Sequence, residues 1–193
     1  MFHRLRTSLL LTFFAFAFAA PALADDYSDT IHAFQKASQS GRFFSKSYGY
    51  AVFPTIGKGG VVVGGAFGKG RVYAHGVYVG DASMTQATIG AQLGGEAYSQ
   101  IIFFEDERAF KEFTSGNFEF GAQAQAVAIT AAATAQATTG GTGAGKNIGK
   151  DDADLKSSYQ KGMAVFTLVK GGLMYEASIG GQKFGYTPKA RKK

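Results

Sequence analysis

Hydrophobic and polar positions alternate with a period of two along most of this chain, and helical spacing interrupts that pattern in two places. The first is Asp26 to Ser40, where Tyr27, Ile31, Phe34 and Ser38 fall at i, i+4, i+7 and i+11. That spacing predicts a helix with one narrow apolar face. Asp25, Asp26 and Asp29 suit the positive end of its dipole, Ser28 is a candidate cap, and Gly41 is a natural stop. Arg42 to Ser47 reads as a short turn that presents Phe43 and Phe44 between Arg42 and Lys46. From Tyr50 the pattern is β, and Pro54 is expected to end the first run because it has no N–H for a ladder.

Val61 to Phe67 and Arg71 to Val79 read as strands joined by a hairpin at Gly68-Lys69-Gly70. Thr85 to Gly94 alternates Ala87, Ile89, Ala91 and Leu93 against Gln86, Thr88, Gly90 and Gln92. Ala97 to Phe104 is a further strand, and Glu105 to Thr114 is the second helix, with Phe110 and Phe113 inward and Gly116 as its stop. Phe118 to Ala137 carries both an alanine content that favours helix and an alternation that favours strand; flanking glycines and threonines point to a long or broken strand. Thr138 to Asp154 reads as a mobile loop. Gly162 to Val169 and Leu173 to Ile179 form a hairpin about Lys170-Gly171-Gly172, and Gln182 to Tyr186 is the last strand. Roughly eight strands with hairpin connections imply a mainly β (α+β) fold. Antiparallel sheets would be curled into a barrel-like sandwich, with two or three peripheral helices.

The ends add an address. Arg4 and Arg6 precede an apolar stretch from Ser8 to Ala20, and Ala22-Leu23-Ala24 is an A-x-A cleavage pattern. Residues 1–24 are therefore expected to be a cleaved signal peptide, with residues 25–193 as one exported domain, periplasmic or associated with the outer membrane or cell surface. The chain has no cysteine, so burial alone must hold that domain together. The net charge of the full chain is +6, unevenly spread. Between Asp29 and Asp81 there is no acid, but there are six cations: Lys36, Arg42, Lys46, Lys58, Lys69 and Arg71. The tail from Pro188 to Lys193 is also basic. Such segments suit an anionic membrane surface or nucleic acid, and export argues against nucleic acid.

Catalytic chemistry finds little support. Gly140 to Asn147 approaches a phosphate-binding loop, but Asn147 supplies no hydroxyl for a metal ion and no clear helix follows, so a linker is expected and no nucleotide. Without cysteine, and with His32 and His75 well separated, no metal site and no catalytic triad is expected. Glu96, after Gly94-Gly95, reads as a ladder or turn partner rather than a general base. No cofactor and no enzyme activity are anticipated.

Four blocks then occur in order: GYAVFPTIGKGGVVVGGAFGKG, TIGAQLGGEAYSQIIFF, AFKEFTSGNFEFGAQAQA and AVFTLVKGGLMYEASIGGQKFGY. With them the chain resembles, from Tyr48 to Tyr186, the SYLF-domain family of lipid-binding proteins. The resemblance implies a non-enzymatic, β-rich domain that binds phospholipids; eukaryotic members bind phosphoinositides and in some cases actin. This chain departs from the family pattern in having no tryptophan, with Asp81-Ala82-Ser83 before its middle strand. The expected contacts with anionic, phosphoinositide-like headgroups are Arg42, Phe43, Lys46, Lys58, Gly59, Gly60, Lys69 and Arg71. Phe43 would insert at the headgroup boundary and the glycines would let backbone approach phosphate. Two other readings stand beside this one: a small outer-membrane β-barrel, whose strands alternate as these do, and a surface structural or antigenic protein with a protein partner.

Overall fold

A computed structural model of the chain describes residues 26–60, 63–89, 96–122, 124–129, 159–169 and 177–190. In chain order these form α1 (Asp26–Lys36), α2 (Ser38–Gly41), β1 (Gly49–Gly60), β2 (Val63–Ala74), β3 (Val77–Ile89), β4 (Glu96–Phe104), α3 (Glu107–Phe113), β5 (Phe118–Glu119), β6 (Gln125–Ile129), β7 (Met163–Val169), β8 (Ala177–Ser178) and β9 (Lys183–Pro188). The protein is mostly β, a curled sheet with small helices, as the alternation implies. Strand order is β5-β9-β3-β2-β1-β4-β7-β6-β8. Every ladder is antiparallel except β6 with β7. The two ends of that order are joined as well. Phe120 N donates to Gln182 O at 3.0 Å, Gly181 N to Phe120 O at 2.9 Å, and Ile179 N to Ala124 O at 3.2 Å. Segment 118–129 thus runs against segment 177–188 and draws the sheet into a barrel-like curl.

Several sequence expectations change. Gly68-Lys69-Gly70 is not a turn, because β2 runs straight through it. A Cβ at Gly68 would stand 2.6 Å from Ile56 Cγ1, and one at Gly70 would stand 2.6 Å from the Phe53 ring. Those glycines make room for large inward side chains on β1. The turn lies instead at His75-Gly76, where both residues have positive φ, 49° and 77°. Pro54 does not end β1 either; it sits in an irregularity where the register shifts between Val52 and Thr55. A bulge tolerates the missing N–H. The helix read as Asp26 to Ser40 breaks at Ala37, whose backbone is extended. The second helix is shorter than expected, and Asp106 caps it by accepting from Ala109 N at 2.8 Å. The described part of the ambiguous alanine-rich segment is a broken strand, β5 and β6, with residues 120–122 and 124 between them outside either strand. Residues 130–158, including the loop and its glycine-rich motif, lie outside the described residues. So do residues 1–25, the turn at Lys170-Gly171-Gly172, and the end of the tail.

Two apolar cores flank the sheet. The inner one collects Phe53, Ile56, Met84, Ile102, Phe104, Val165 and Phe184, closed at one end by Ala109 and Phe113 of α3. The outer one collects Tyr50, Val52, Ile101, Phe103, Ala164 and Phe166 beneath Phe34, Ala37 and Phe43. β1 and β4 are therefore buried on both faces, which explains the unbroken apolar run Ile101 to Phe104. Elsewhere the outer face is mostly polar, most clearly on β3. On β3, Asp81, Ser83, Thr85 and Ala87 are exposed while Ala82, Met84 and Gln86 are buried. A transmembrane strand requires the opposite polarity, apolar outward, so the outer-membrane barrel is not carried further. Among the described residues no helix is long and apolar enough to cross a membrane.

The inside of the curl also holds a cluster of amides. Gln100 Nε2 donates to Gln182 Oε1 at 2.9 Å, and Gln182 Nε2 returns a bond to Gln100 Oε1 at 3.2 Å. Gln182 Nε2 also reaches the Tyr98 hydroxyl at 3.2 Å and Gln86 Oε1 at 3.5 Å. Gln86 Nε2 donates to Gly180 O at 3.0 Å. β3 and β4 are separated by two strands in the sheet order, so these side chains meet across the interior. They fix how the closing segment lies against the far wall.

Two predictions follow from this packing. Gln182→Leu leaves Gln100, Gln86 and Tyr98 without their common partner and is expected to cost about 2 kcal/mol in urea unfolding. Adding Gln100→Leu is expected to cost less than the sum of the single changes, whereas strict additivity would show the amides act separately. The second prediction concerns alkali. Burial, followed for Tyr50 by Tyr73, pushes Tyr50 up to about 12; burial also pushes Tyr98 up to about 12, against an opposing hydrogen bond from Gln182. The unfolded chain ionises both near 10. Their contribution to stability is therefore complete below about pH 10 and lost as pH rises towards 12. Thermal unfolding followed by circular dichroism across that window is expected to show a falling midpoint.

Candidate functional site

The eight residues expected to meet lipid do not form one patch. Arg42, Phe43 and Lys46 precede the start of β1, while Lys58, Gly59 and Gly60 stand at its far end. Nine residues of strand separate the two groups, about 30 Å. Phe43 is not at the surface. It is fully buried, with its ring 5.3 Å from Phe103, 5.0 Å from Phe166 and 5.3 Å from Tyr159. The turn folds Phe43 onto the outer face of β1 and β4, because those apolar strands need a cover. Phe44 is the more exposed of the pair and packs on Tyr50 and Phe103 at 5.2 and 4.9 Å. Arg42 lies over the Phe43 ring at 5.8 Å, and Lys46 is exposed.

Strand alternation divides the remaining cations. Gly57 pairs with Phe67 and Lys58 with Ala66, so Lys58 shares the inward face of Ile56 and Ala66. It is half-buried at the end of the curl, opposite Glu96 in the ladder. Gly59 and Gly60 are strand residues opposite Gly65 and Gly64, not a phosphate-cradling turn. Lys69 and Arg71 face outward. Arg71 is engaged: its guanidinium sits 4.1 Å from the Tyr27 ring and 5.5 Å from the Tyr78 ring. It also stands opposite Asp81 in the β2–β3 ladder. The Tyr78 hydroxyl donates to Asp81 Oδ1 at 2.8 Å, and that bond is the main reason Tyr78 is pushed up to about 12. A run without acids in the sequence is thus not without acids in space, because the antiparallel register returns Asp81 to Arg71.

What the structure does assemble is a groove of 340 Å³ between the start of α1 and the outer faces of β1 and β2. Asp26, Tyr27, Pro54, Thr55, Phe67 and Lys69 line it. Lys69 and Asp26 are both exposed, and neither has an ion-pair partner among the described residues. Phe67 is 52% exposed. Its cross-strand neighbours explain that exposure: Gly57 on one side has nothing within 4 Å of where a Cβ would be, and Thr85 lies on the other. Gly59 and Gly65 extend the same bare floor. Sequence reading missed Phe67 and chose Phe43. The alternation places Phe67 on the face opposite Ala66, but its exposure depends on the cross-strand register that sets Gly57 beside it.

The chemistry expected to be absent is placed as follows. His32 Nδ1 lies 3.1 Å from Gln35 Oε1 on α1, and the His75 ring stacks edge-on to Tyr48 at 4.4 Å. Among the described residues no group of three His, Cys, Asp or Glu is arranged to hold a metal ion. A second groove of 310 Å³ runs beside β9, lined in part by Ser83, Thr85, Asn117 and the ion pair Lys183–Glu119, whose N···O distance is 3.5 Å.

Residues 85–190 match the family model Ysc84, described as a Las17-binding protein actin regulator. A curated relative, Beta cell expansion factor A of Aeromonas veronii, is 29% identical over 163 residues, covering 80% of this chain and 51% of that protein. The chain thus spans about half the length of the curated relative it matches. The matched family segment begins in β3 and runs through β9, over more than half of the sequence. On that match, the chain belongs to the Ysc84 family, the family of SYLF domains.

Proposed function

We propose that this domain binds anionic phospholipid headgroups peripherally, at a membrane surface in an exported compartment, and that it does so without catalysis. The observation that carries this reading is the outward pairing of Phe67 and Lys69 on a glycine-floored face. An exposed basic residue contributes about 1 kcal/mol at an anionic surface. An exposed aromatic ring beside it gains by entering the headgroup boundary. Together they supply an electrostatic approach and an apolar anchor. The bare floor lets the surface come close to the strands. Lys58, Arg42 and Lys46 add to the general positive field rather than to the same contact. The leader-like start of the chain supports the exported location. The description of the matched family, a Las17-binding protein actin regulator, names protein partners, and a protein-binding role for this chain is the competing outcome of the experiment below.

The experiment is co-sedimentation of the protein with vesicles of graded phosphatidylglycerol content, at low and high salt. Binding is expected to rise with anionic lipid and to fall with salt, as screening shortens the reach of the cations. Lys69→Glu exchanges a favourable charge for an unfavourable one. It is expected to weaken binding by about 2 kcal/mol, roughly thirtyfold in partition. Phe67→Ala is expected to weaken binding at both salt concentrations, because it removes apolar contact rather than charge. A folded protein that ignores anionic vesicles at low salt would sink the lipid reading and leave the protein partner.

A further inference from the structure

The groove at the start of α1 carries both signs of charge. Lys69 supplies an ammonium from β2, and Asp26 supplies a carboxylate from the helix. Both are exposed and neither is paired within the described residues. A purely anionic headgroup satisfies Lys69 but faces the Asp26 carboxylate. A headgroup that joins a phosphate to a primary amine satisfies both, phosphate to Lys69 and ammonium to Asp26. Resting on the lipid-binding reading above, we infer that this groove selects phospholipids bearing a primary amine, of the phosphatidylethanolamine class, within an anionic membrane.

Choline makes the contrast sharp. A primary ammonium carries three N–H donors for a carboxylate, whereas a quaternary ammonium carries none and is recognised on the faces of aromatic rings. Two rings line this groove: Tyr27, which already has the Arg71 guanidinium 4.1 Å from its centre, and Phe67, a single exposed ring with no second free face opposite it. The groove therefore offers a carboxylate to an ammonium but no free aromatic cage to a choline. Phe67, at the lip, is placed to meet the glycerol and upper acyl region while the headgroup lies between Asp26 and Lys69. The arrangement depends on α1, because Asp26 and Tyr27 reach the sheet only when that helix is docked.

The test uses two sets of vesicles with equal phosphatidylglycerol, one completed with phosphatidylethanolamine and the other with phosphatidylcholine. The wild-type protein is expected to partition about threefold better into the ethanolamine set, the size of one exposed ion pair. Asp26→Asn, with its fold checked by circular dichroism, is expected to bring the two sets to parity. Equal partition of the wild type would overturn this inference and leave the lipid reading standing. A preference that survives in Asp26→Asn would also overturn it, since looser lipid packing rather than the carboxylate would then be the cause. Failure to bind either set at low salt would remove the lipid reading and this inference together.

Discussion

Phe103 and Phe104 are neighbours in the chain, point to opposite sides of β4, and are both excluded from water. The same holds for Val52 and Phe53 on β1. Each such aromatic or large aliphatic side chain contributes about 1.5–3 kcal/mol when fully buried, so two adjacent strands of this kind demand a cover on both faces. On the inside the cover is the rest of the curl, with α3 at one end. On the outside it is α1, α2 and the turn that carries Phe43. The placement of α1 is thus a consequence of the strands beneath it. With α1 docked, Tyr27 comes to rest on Arg71, and Asp26 joins Lys69 in lining one groove. The groove is a by-product of burying Val52 and Phe103.

The inner core is not uniformly apolar. Gln86, Tyr98, Gln100 and Gln182 satisfy one another there, while Thr167, opposite Gln100 in the β4–β7 ladder, keeps a buried hydroxyl with no hydrogen-bond partner among the described residues. A buried amide is costly when unpaired and directional when paired. Hydrophobic contacts alone would tolerate several ways of laying the last strands across the opening. The amides reject those in which Gln182 misses Gln100. Apolar burial therefore supplies the driving force for the curl, and the polar cluster selects its register.

Much of the fold was legible in the alternation. The β character, the second helix, and the strands Ala97 to Phe104, Gly162 to Val169 and Gln182 to Tyr186 all emerge from spacing and punctuation close to where the structure has them. The misreadings share one cause. Gly68 and Gly70 resemble a turn because local sequence does not show Ile56 and Phe53 on the neighbouring strand, which need that space. Phe43 resembles a surface anchor because its cationic neighbours are local, while the strands it covers lie far along the chain. Arg71 resembles a free cation because Asp81 is ten residues away in sequence but opposite in the ladder. Phe67 was overlooked for the converse reason: its exposure depends on glycines of another strand. Local signals fix elements, and cross-strand neighbours decide which side chains reach the surface.

The pairing of segment 118–129 with segment 177–188 has a kinetic side. β3 has β2 as one neighbour from early in the chain, but its other neighbour, β9, is near the end, with Asp81 facing Thr187. Until those last residues are available, β3 is an open edge and Gln100 has no amide to meet. Contacts so distant in sequence make for slow folding. The domain is thus committed to its final shape only after nearly all of the chain has been made, and a polypeptide interrupted before β9 would carry an unsealed strand edge, the kind of surface on which chains associate.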